Sequence, residues 1–202
     1  MSSAYDITHP VDDNFADVET ISQRSGKAIA IEIVEYQPSW PNDFEILRSR
    51  IQSALGDRAL RIEHVGSTSV PGMPAKANID IDVTVADATA EDTYVPDLEA
   101  AGFQFLLRQP KWYDHRFFGS KEPYGSIHVF RLGSSELERH RIFRDYLREH
   151  EDERVVYAQV KREAAAASHA AGEVKVMEYN IRKEKILREI LQRAFKANGL
   201  LD

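Results

Sequence analysis

Residues 61–85 read RIEHVGSTSVPGMPAKANIDIDVTV. The first five form a short strand pattern that stops at Gly66-Ser67. A turn-rich loop follows, stiffened by Pro71, Gly72 and Pro74. The last seven alternate strictly: Ile79, Ile81, Val83 and Val85 on one side, Asp80, Asp82 and Thr84 on the other. A period of two marks a β-strand with one face in a core. The stretch is therefore strand, loop, strand, and it carries the densest combination of special backbone geometry and paired charge in the chain.

Working outward, a strand is expected over residues 28–35, where Ile29, Ile31 and Ile33 alternate with Ala30, Glu32 and Val34. Pro41 suits a first helical turn, and Phe44, Leu47, Ile51 and Leu55 give the buried stripe of a helix over residues 41–55 ending at Gly56. Beyond the central stretch, residues 91–101 read as a helix closed by Gly102, residues 103–107 as a strand, and residues 108–123 as a strand with an irregular approach. Residues 125–132 form a firmer strand, with Ser126, His128 and Phe130 on one side. Ser135 with Glu138 is a capping-box pattern opening a helix to about residue 150. Helices over residues 152–167 and 172–198 follow, the alanine run at 164–167 favouring the first. Strands first and a helical run last point to α+β, a mixed sheet packed by helices with a C-terminal helical segment. Residues 27–198 read as one domain, the sheet reaching about residue 133 and the helical part starting at about 135. Residues 1–26, rich in Ser, Asp and Thr, read as a tail or loosely ordered arm.

Composition bounds the function. A formal net charge of −7 over 202 residues repels a polyanion, so nucleic acid is disfavoured as a partner. The absence of cysteine excludes disulfides, thiolate metal sites and a cysteine nucleophile. No apolar run is long enough to span a bilayer. The polar, acidic first twenty residues are unlike a secretory signal, so the expected location is the cytoplasm. Nothing in the sequence indicates an oligomeric state.

Asp80 and Asp82 stand on one face of a strand, about 7 Å apart at their Cα atoms. Like charges so placed repel, and Mg²⁺ or Mn²⁺ would remove the penalty. The same pattern also suits a solvent-facing strand carrying acids for solubility. An EF-hand is excluded, because a loop starting at Asp80 puts Val85 where glycine is required. Gly66 would let a phosphate approach the backbone, with the Ser67 and Thr68 hydroxyls beside it. Lys76, Arg131, Arg139, Arg144 and Lys183 are cations that could meet phosphates, Lys76 being nearest the acidic strand in sequence. His64, and the aromatic Trp112, Tyr113 and Phe117, suit either a ligand or the core.

Gly66-Ser67, twelve residues, then Asp80-Ile81-Asp82 resembles the signature of nucleotidyltransferases with the DNA polymerase β-like fold. More specifically, HVGSTSVPGMPAKANIDIDV (64–83) is similar to the hallmark of the GrpB family, a group assigned to that superfamily. YQPSW (36–40) with Phe44, IHVFRLGS (127–134), RHRIFRDYLREH (139–150), and Tyr179 with Lys183 support the resemblance. It implies a polymerase β-like core, Asp80 and Asp82 as metal ligands and catalytic carboxylates, and a phosphate site at Gly66, Ser67, Thr68, Lys76, Arg131 and Arg144. It further implies Mg²⁺-dependent transfer of a nucleoside monophosphate from a nucleoside triphosphate to an unidentified small-molecule or protein acceptor. A similar domain occurs fused to dephospho-CoA kinases. The sequence departs from the superfamily pattern where a later strand should supply a third carboxylate: GSIHVFRL offers His128, as base, ligand or structural residue. A catalytically inactive module binding a nucleotide or another anionic metabolite is the alternative, as is a scaffold acting through its C-terminal helices.

Overall fold

The alternation at residues 79–85 becomes an inner strand of a six-stranded mixed sheet, in a computed structural model that describes residues 2–11, 17–25, 31–170 and 176–202. The strands are β1 (Glu19–Thr20), β2 (Arg61–Val65), β3 (Ile79–Val85), β4 (Gln104–Gln109), β5 (His115–Ser120) and β6 (Gly125–Arg131). Their order across the sheet is β1-β4-β5-β6-β3-β2. Only β3 and β6 run parallel; the other neighbours are antiparallel. The helices are α1 (Ala4–Thr8), α2 (Trp40–Leu55), α3 (Val95–Ala100), α4 (Ser135–Glu149), α5 (Glu151–Ala170) and α6 (Val176–Ala197). The α+β class expected from the element order is the one observed.

Period two sorts the sheet into two faces. Ile79, Ile81, Val83 and Val85 join Ile127, Val129 and Phe118 in a core closed by Leu47, Ile51 and Leu55 of α2 and Leu98 of α3. Gly125 permits this contact, since a Cβ there would lie 2.8 Å from Leu47 Cδ1 and 3.0 Å from the Ile79 carbonyl oxygen. The opposite face carries Asp80, Asp82, Ser126 and His128 beneath the helical half. There Ile142, Tyr146 and Leu147 of α4, Tyr157 of α5, and Ile190, Ala194 and Phe195 of α6 form a second core with Val70 and Met73.

Several expectations are corrected. The strand expected at 28–35 is not formed over its described part; residues 31–35 carry one bridge, Val34 to Ala75. Ile31 and Ile33 bury their side chains against Ala164, Ala165 and Tyr179, so the alternation is satisfied by helices rather than by a sheet. Residues 28–30 lie outside those described. The helix expected at 91–101 divides into a 3₁₀ turn, Glu91–Thr93, and α3, with Pro96 in the first turn where no N–H donor is needed. The N-cap of α4 is Ser134, without a side-chain cap bond, and Glu138 pairs with Arg141 at 2.7 Å instead of completing a capping box. The final helix is described from Val176, so its expected start at 172 lies outside the described residues. In the first 25 residues, β1 extends the sheet edge beside β4, and α1 is held by Arg139, which donates to the Asp6 and Ile7 carbonyls at 2.7 and 2.9 Å.

Candidate functional site

Gly66 ends β2 with φ +67° and ψ −174°, a conformation essentially confined to glycine. A Cβ at this position would lie 2.5 Å from Asp80 Oδ2. The glycine therefore brings the backbone against the carboxylate that β3 supplies. The other Asp80 oxygen accepts from Asn78 Nδ2 at 2.5 Å, and Asn78 Oδ1 accepts from Ser126 Oγ at 3.2 Å. Burial pushes the Asp80 carboxyl up to about 6 against the pull of Lys76, Lys183 and His140.

Beside Asp80 lies a cleft of about 280 Å³. Ser67 and Thr68 enter it from the β2–β3 loop, and Lys76 and Asn78 from the approach to β3. Ser126 and His128 come from β6, Lys161 from α5, and Tyr179, Asn180 and Lys183 from α6. Lys76 and Lys183 lie 5.5 and 5.0 Å from the Tyr179 ring centre, a cation–π arrangement that gathers both ammonium groups at one wall. Burial pushes Lys76 below the usual lysine range, with Asp80 opposing and Lys183 and Arg24 adding to the shift. Lys161 is 2% exposed, its Nζ 3.0 Å from Ser67 Oγ and 2.5 Å from the Pro74 carbonyl oxygen it donates to. Burial holds it well below the ordinary value. Larger cavities of about 580 Å³ lie along α5 and near α1, but neither gathers cations around a hydroxyl in this way.

Asp82 points to the same side of β3 but is sealed beneath α4. Both its oxygens receive His140 Nδ1, at 2.8 and 3.1 Å, and His140 Nε2 lies 3.3 Å from Glu136. Burial opposes charge on His140, yet Asp82 and Glu136 together hold it well above its usual value. The imidazolium thus compensates Asp82 from within the fold. Asp80 and Asp82 thus have different partners, Asn78 for one and His140 for the other, and a divalent cation shared between them would compete with His140 for the Asp82 oxygens. Among the described residues no group of three or more His, Asp or Glu side chains is placed to hold a metal ion.

His128 is oriented from behind. Gln109 Oε1 lies 2.7 Å from His115 Nδ1, and His115 Nε2 lies 3.0 Å from His128 Nδ1. With the glutamine oxygen accepting, His115 carries its proton on Nδ1 and receives the His128 Nδ1 proton, leaving His128 Nε2 as an acceptor. Burial, then His140, holds His128 down to about 3. In this tautomer the neutral His128 Nε2 is placed to accept a hydrogen bond from a ligand hydroxyl.

The family model described as GrpB protein matches residues 30–193. The chain belongs to the GrpB family. It is 40% identical over 194 residues to a UPF0157 protein of Halalkalibacterium halodurans, covering 96% of this chain and 97% of that protein. A UPF0157 protein of Streptomyces coelicolor is 38% identical, over 72% of this chain and 77% of its own length. A dephospho-CoA kinase of Mycolicibacterium paratuberculosis is 31% identical over 87% of this chain but only 48% of that enzyme, so the chain spans about half of it. In structure it is similar to the conserved protein GrpB from Enterococcus faecalis, with TM-score 0.67 and 28% identity over 81% of this chain and 99% of that one. Among the described residues no helix is long and apolar enough to cross a membrane.

In this GrpB-family chain, the residues read from sequence do not all meet. Ser67, Thr68, Lys76, Asp80 and His128 meet in the cleft, and Gly66 supports it. Asp82 does not line it. Arg131 is exposed opposite Val85, beside His9 and Tyr113 in a separate cavity. Arg144 packs under α4, 2.7 Å from Asp145, 3.6 Å from Glu63 and donating to the His64 carbonyl at 3.1 Å. His64 lies on the opposite face, stacked on Phe44, and Trp112 packs on His115 and Phe130. Sequence reasoning missed Lys161, Asn78, Ser126, His115 and Glu136. Lys161 had a legible signal: it interrupts the stripe of Tyr157, Ala158, Ala164 and Ala165 that α5 buries.

Proposed function

We propose that the cleft binds the phosphate chain of a nucleotide, on a core of the polymerase β-like nucleotidyltransferase kind. The observation carrying this reading is the convergence of Lys76, Lys161 and Lys183 on a cleft that contains one carboxylate, Asp80, and the Ser67 and Thr68 hydroxyls. Cations partly stripped of water gain most from an anion that enters beside them, because local dielectric is low. The His128 Nε2 acceptor suits a sugar hydroxyl. The partial likeness to dephospho-CoA kinases accords with a nucleotide-related role. This reading places the protein in the cytoplasm, with its nucleotide supply, as a binding module whose lysines do the work that a metal does in the superfamily.

A second reading, nucleotidyl transfer dependent on Mg²⁺ or Mn²⁺ to an acceptor, is favoured by Asp80 and Asp82 sharing one face of β3. It requires His140 to leave Asp82. Equilibrium binding of nucleoside triphosphates with either chelator or Mg²⁺ present separates the two. The lysine-based reading expects binding in chelator, weakened by Lys76→Ala or Lys183→Ala and retained or tightened by Asp80→Asn. Binding that needs Mg²⁺, disappears in Asp80→Asn and is accompanied by pyrophosphate release supports transfer. No nucleotide binding under either condition rejects both.

A further inference from the structure

Lys161 is the least expected group in the cleft. It is buried in the helical half, with Nζ 4.9 Å from the Tyr157 ring centre, and among the described residues its hydrogen-bond partners are Ser67 and Pro74, not a carboxylate. A lysine serving as a plain counter-charge gains by keeping its ammonium in water or on an acid. Lys161 instead places Nζ between the Pro74 carbonyl, which accepts one N–H, and Ser67 Oγ at 3.0 Å. The Ser67 hydroxyl has no other partner among the described residues, and it lines the cleft. A buried amine touching a serine hydroxyl at the mouth of a ligand site has the geometry of a serine nucleophile with a lysine base.

We propose that Ser67 is a nucleophile and Lys161 its base, so that the cleft's ligand leaves a phosphoester on Ser67. The proposal rests on the nucleotide reading for its natural electrophile. Ser67 Oγ attacks a phosphorus of the bound triphosphate. The Oγ–P bond forms as the phosphoanhydride P–O bond breaks, its electron pair leaving with pyrophosphate after attack at the α-phosphorus or with the nucleoside diphosphate after attack at the γ-phosphorus, and the hydroxyl proton passes to Lys161 Nζ. The resulting ammonium keeps its bond to Pro74 and faces the new phosphoester. Burial first, then Lys183 and Arg162, hold the Lys161 amine below its usual range, and Asp80 opposes them. Lys76 and Lys183 remain free to hold the leaving group.

The test uses two electrophiles on the full chain. An alkyl fluorophosphonate reads Ser67 nucleophilicity without requiring nucleotide recognition; ATP labelled at the α or the γ phosphorus reads the natural reaction. Intact mass and peptide mapping should place one adduct on Ser67 and none in Ser67→Ala. Lys161→Arg, which keeps a cation but offers no base, should slow adduct formation about 100-fold, and Lys161→Met should do the same. The wild-type rate should level off with pH below the ordinary lysine range, a readout that does not depend on either variant folding. Absence of a Ser67 adduct with both reagents, or undiminished reaction in a folded Lys161→Arg, overturns the dyad, and the nucleotide reading survives if ATP still binds. A fluorophosphonate adduct without label from ATP keeps the dyad and rejects the triphosphate as its electrophile. Retention of α or γ label tells nucleotidyl from phosphoryl transfer.

Discussion

Gly66 and Asp80, fourteen positions apart in the chain, are in such close contact that a single methyl group on the glycine would lie 2.5 Å from the carboxylate. The turn and the acid are one structural unit. The loop between them returns the chain to its starting point, and Thr68 Oγ1 ties the two ends by donating to the Asn78 carbonyl at 3.1 Å.

Gly66→Ala should therefore destabilise the fold by about 2 kcal/mol from the backbone conformation alone, with a further cost from the clash. In an Asp80→Ala background the carboxylate clash is removed, leaving the backbone cost and the 3.0 Å approach to the residue-80 Cβ. A urea-denaturation double-mutant cycle should give a coupling above about 0.5 kcal/mol. Additive costs would show that Asp80 has moved away.

The pH dependence of stability should carry the mark of Asp80. Its carboxyl is raised from 3.8 to about 6 by burial, so the folded state prefers the protonated form. The associated stability is present below pH 3.8 and lost as pH rises towards 6. Asp80→Asn should flatten this part of the profile and be the more stable protein at pH 7. Chemical denaturation at intervals from pH 4 to 7 is the measurement, and an unchanged slope would refute it.

His140 should act in the opposite sense to a buried neutral histidine. Asp82 and Glu136 raise its pKa over the opposing effect of burial, so its contribution is complete below about pH 6.5 and is lost as pH climbs through the raised value. His140→Gln should cost about 3 kcal/mol at pH 6, because Asp82 is left buried without its cation, and less at alkaline pH. A deficit independent of pH would mean that the pair is not charged.

Nucleotide binding should take up protons at pH 8. Lys76 is held down chiefly by burial, and an anion beside it restores the charged form. Calorimetric titrations in two buffers of different ionisation enthalpy should differ in the direction of net uptake. Equal heats, or proton release, would place the phosphates elsewhere.

Lys161→Met should raise thermal stability, by roughly 1 kcal/mol at neutral pH, since a buried amine without an acid partner gives way to a side chain of similar length that fits its apolar stripe. A lower melting temperature would show that the bonds to Ser67 and Pro74 outweigh that burial.

Much of this fold was legible because local patterns and global packing agree. Residues 79–85 and 125–131 alternate cleanly since one face of each strand meets α2, and the stripe of α2 itself reads directly from Leu47, Ile51 and Leu55. The strand at 28–35 misled because alternating isoleucines record burial on one side, whichever element supplies it. β1 escaped notice because two residues pairing at a sheet edge carry no periodicity. For the site, Gly66, Ser67, Thr68, Lys76 and Asp80 were readable, being held together by one short loop. Lys161 and the His115–His128 chain were not, because their neighbours are distant in sequence. Asp82 was correctly placed on its strand face, but its environment was set by His140, fifty-eight residues later. Arg131 and Arg144 show the limit of charge as a guide: both occur near matching motifs, yet strand length carries one away from the cleft and a local acid holds the other.

The acidic face of the sheet precedes in the chain every group of the helical half that compensates it. Asp80 and Asp82 are made long before His140, Lys161 and Lys183. Synthesis proceeds from the N-terminus, and early segments begin to fold while later ones are still being added. A nascent chain that has completed β6 thus presents bare carboxylates to water on one side and a finished apolar core on the other. Its last seventy residues close the ion pairs, bury the lysine and create the cleft together. The cleft therefore takes shape only when α5 and α6 pack onto the sheet, since Lys161, Tyr179, Asn180 and Lys183 form its outer wall.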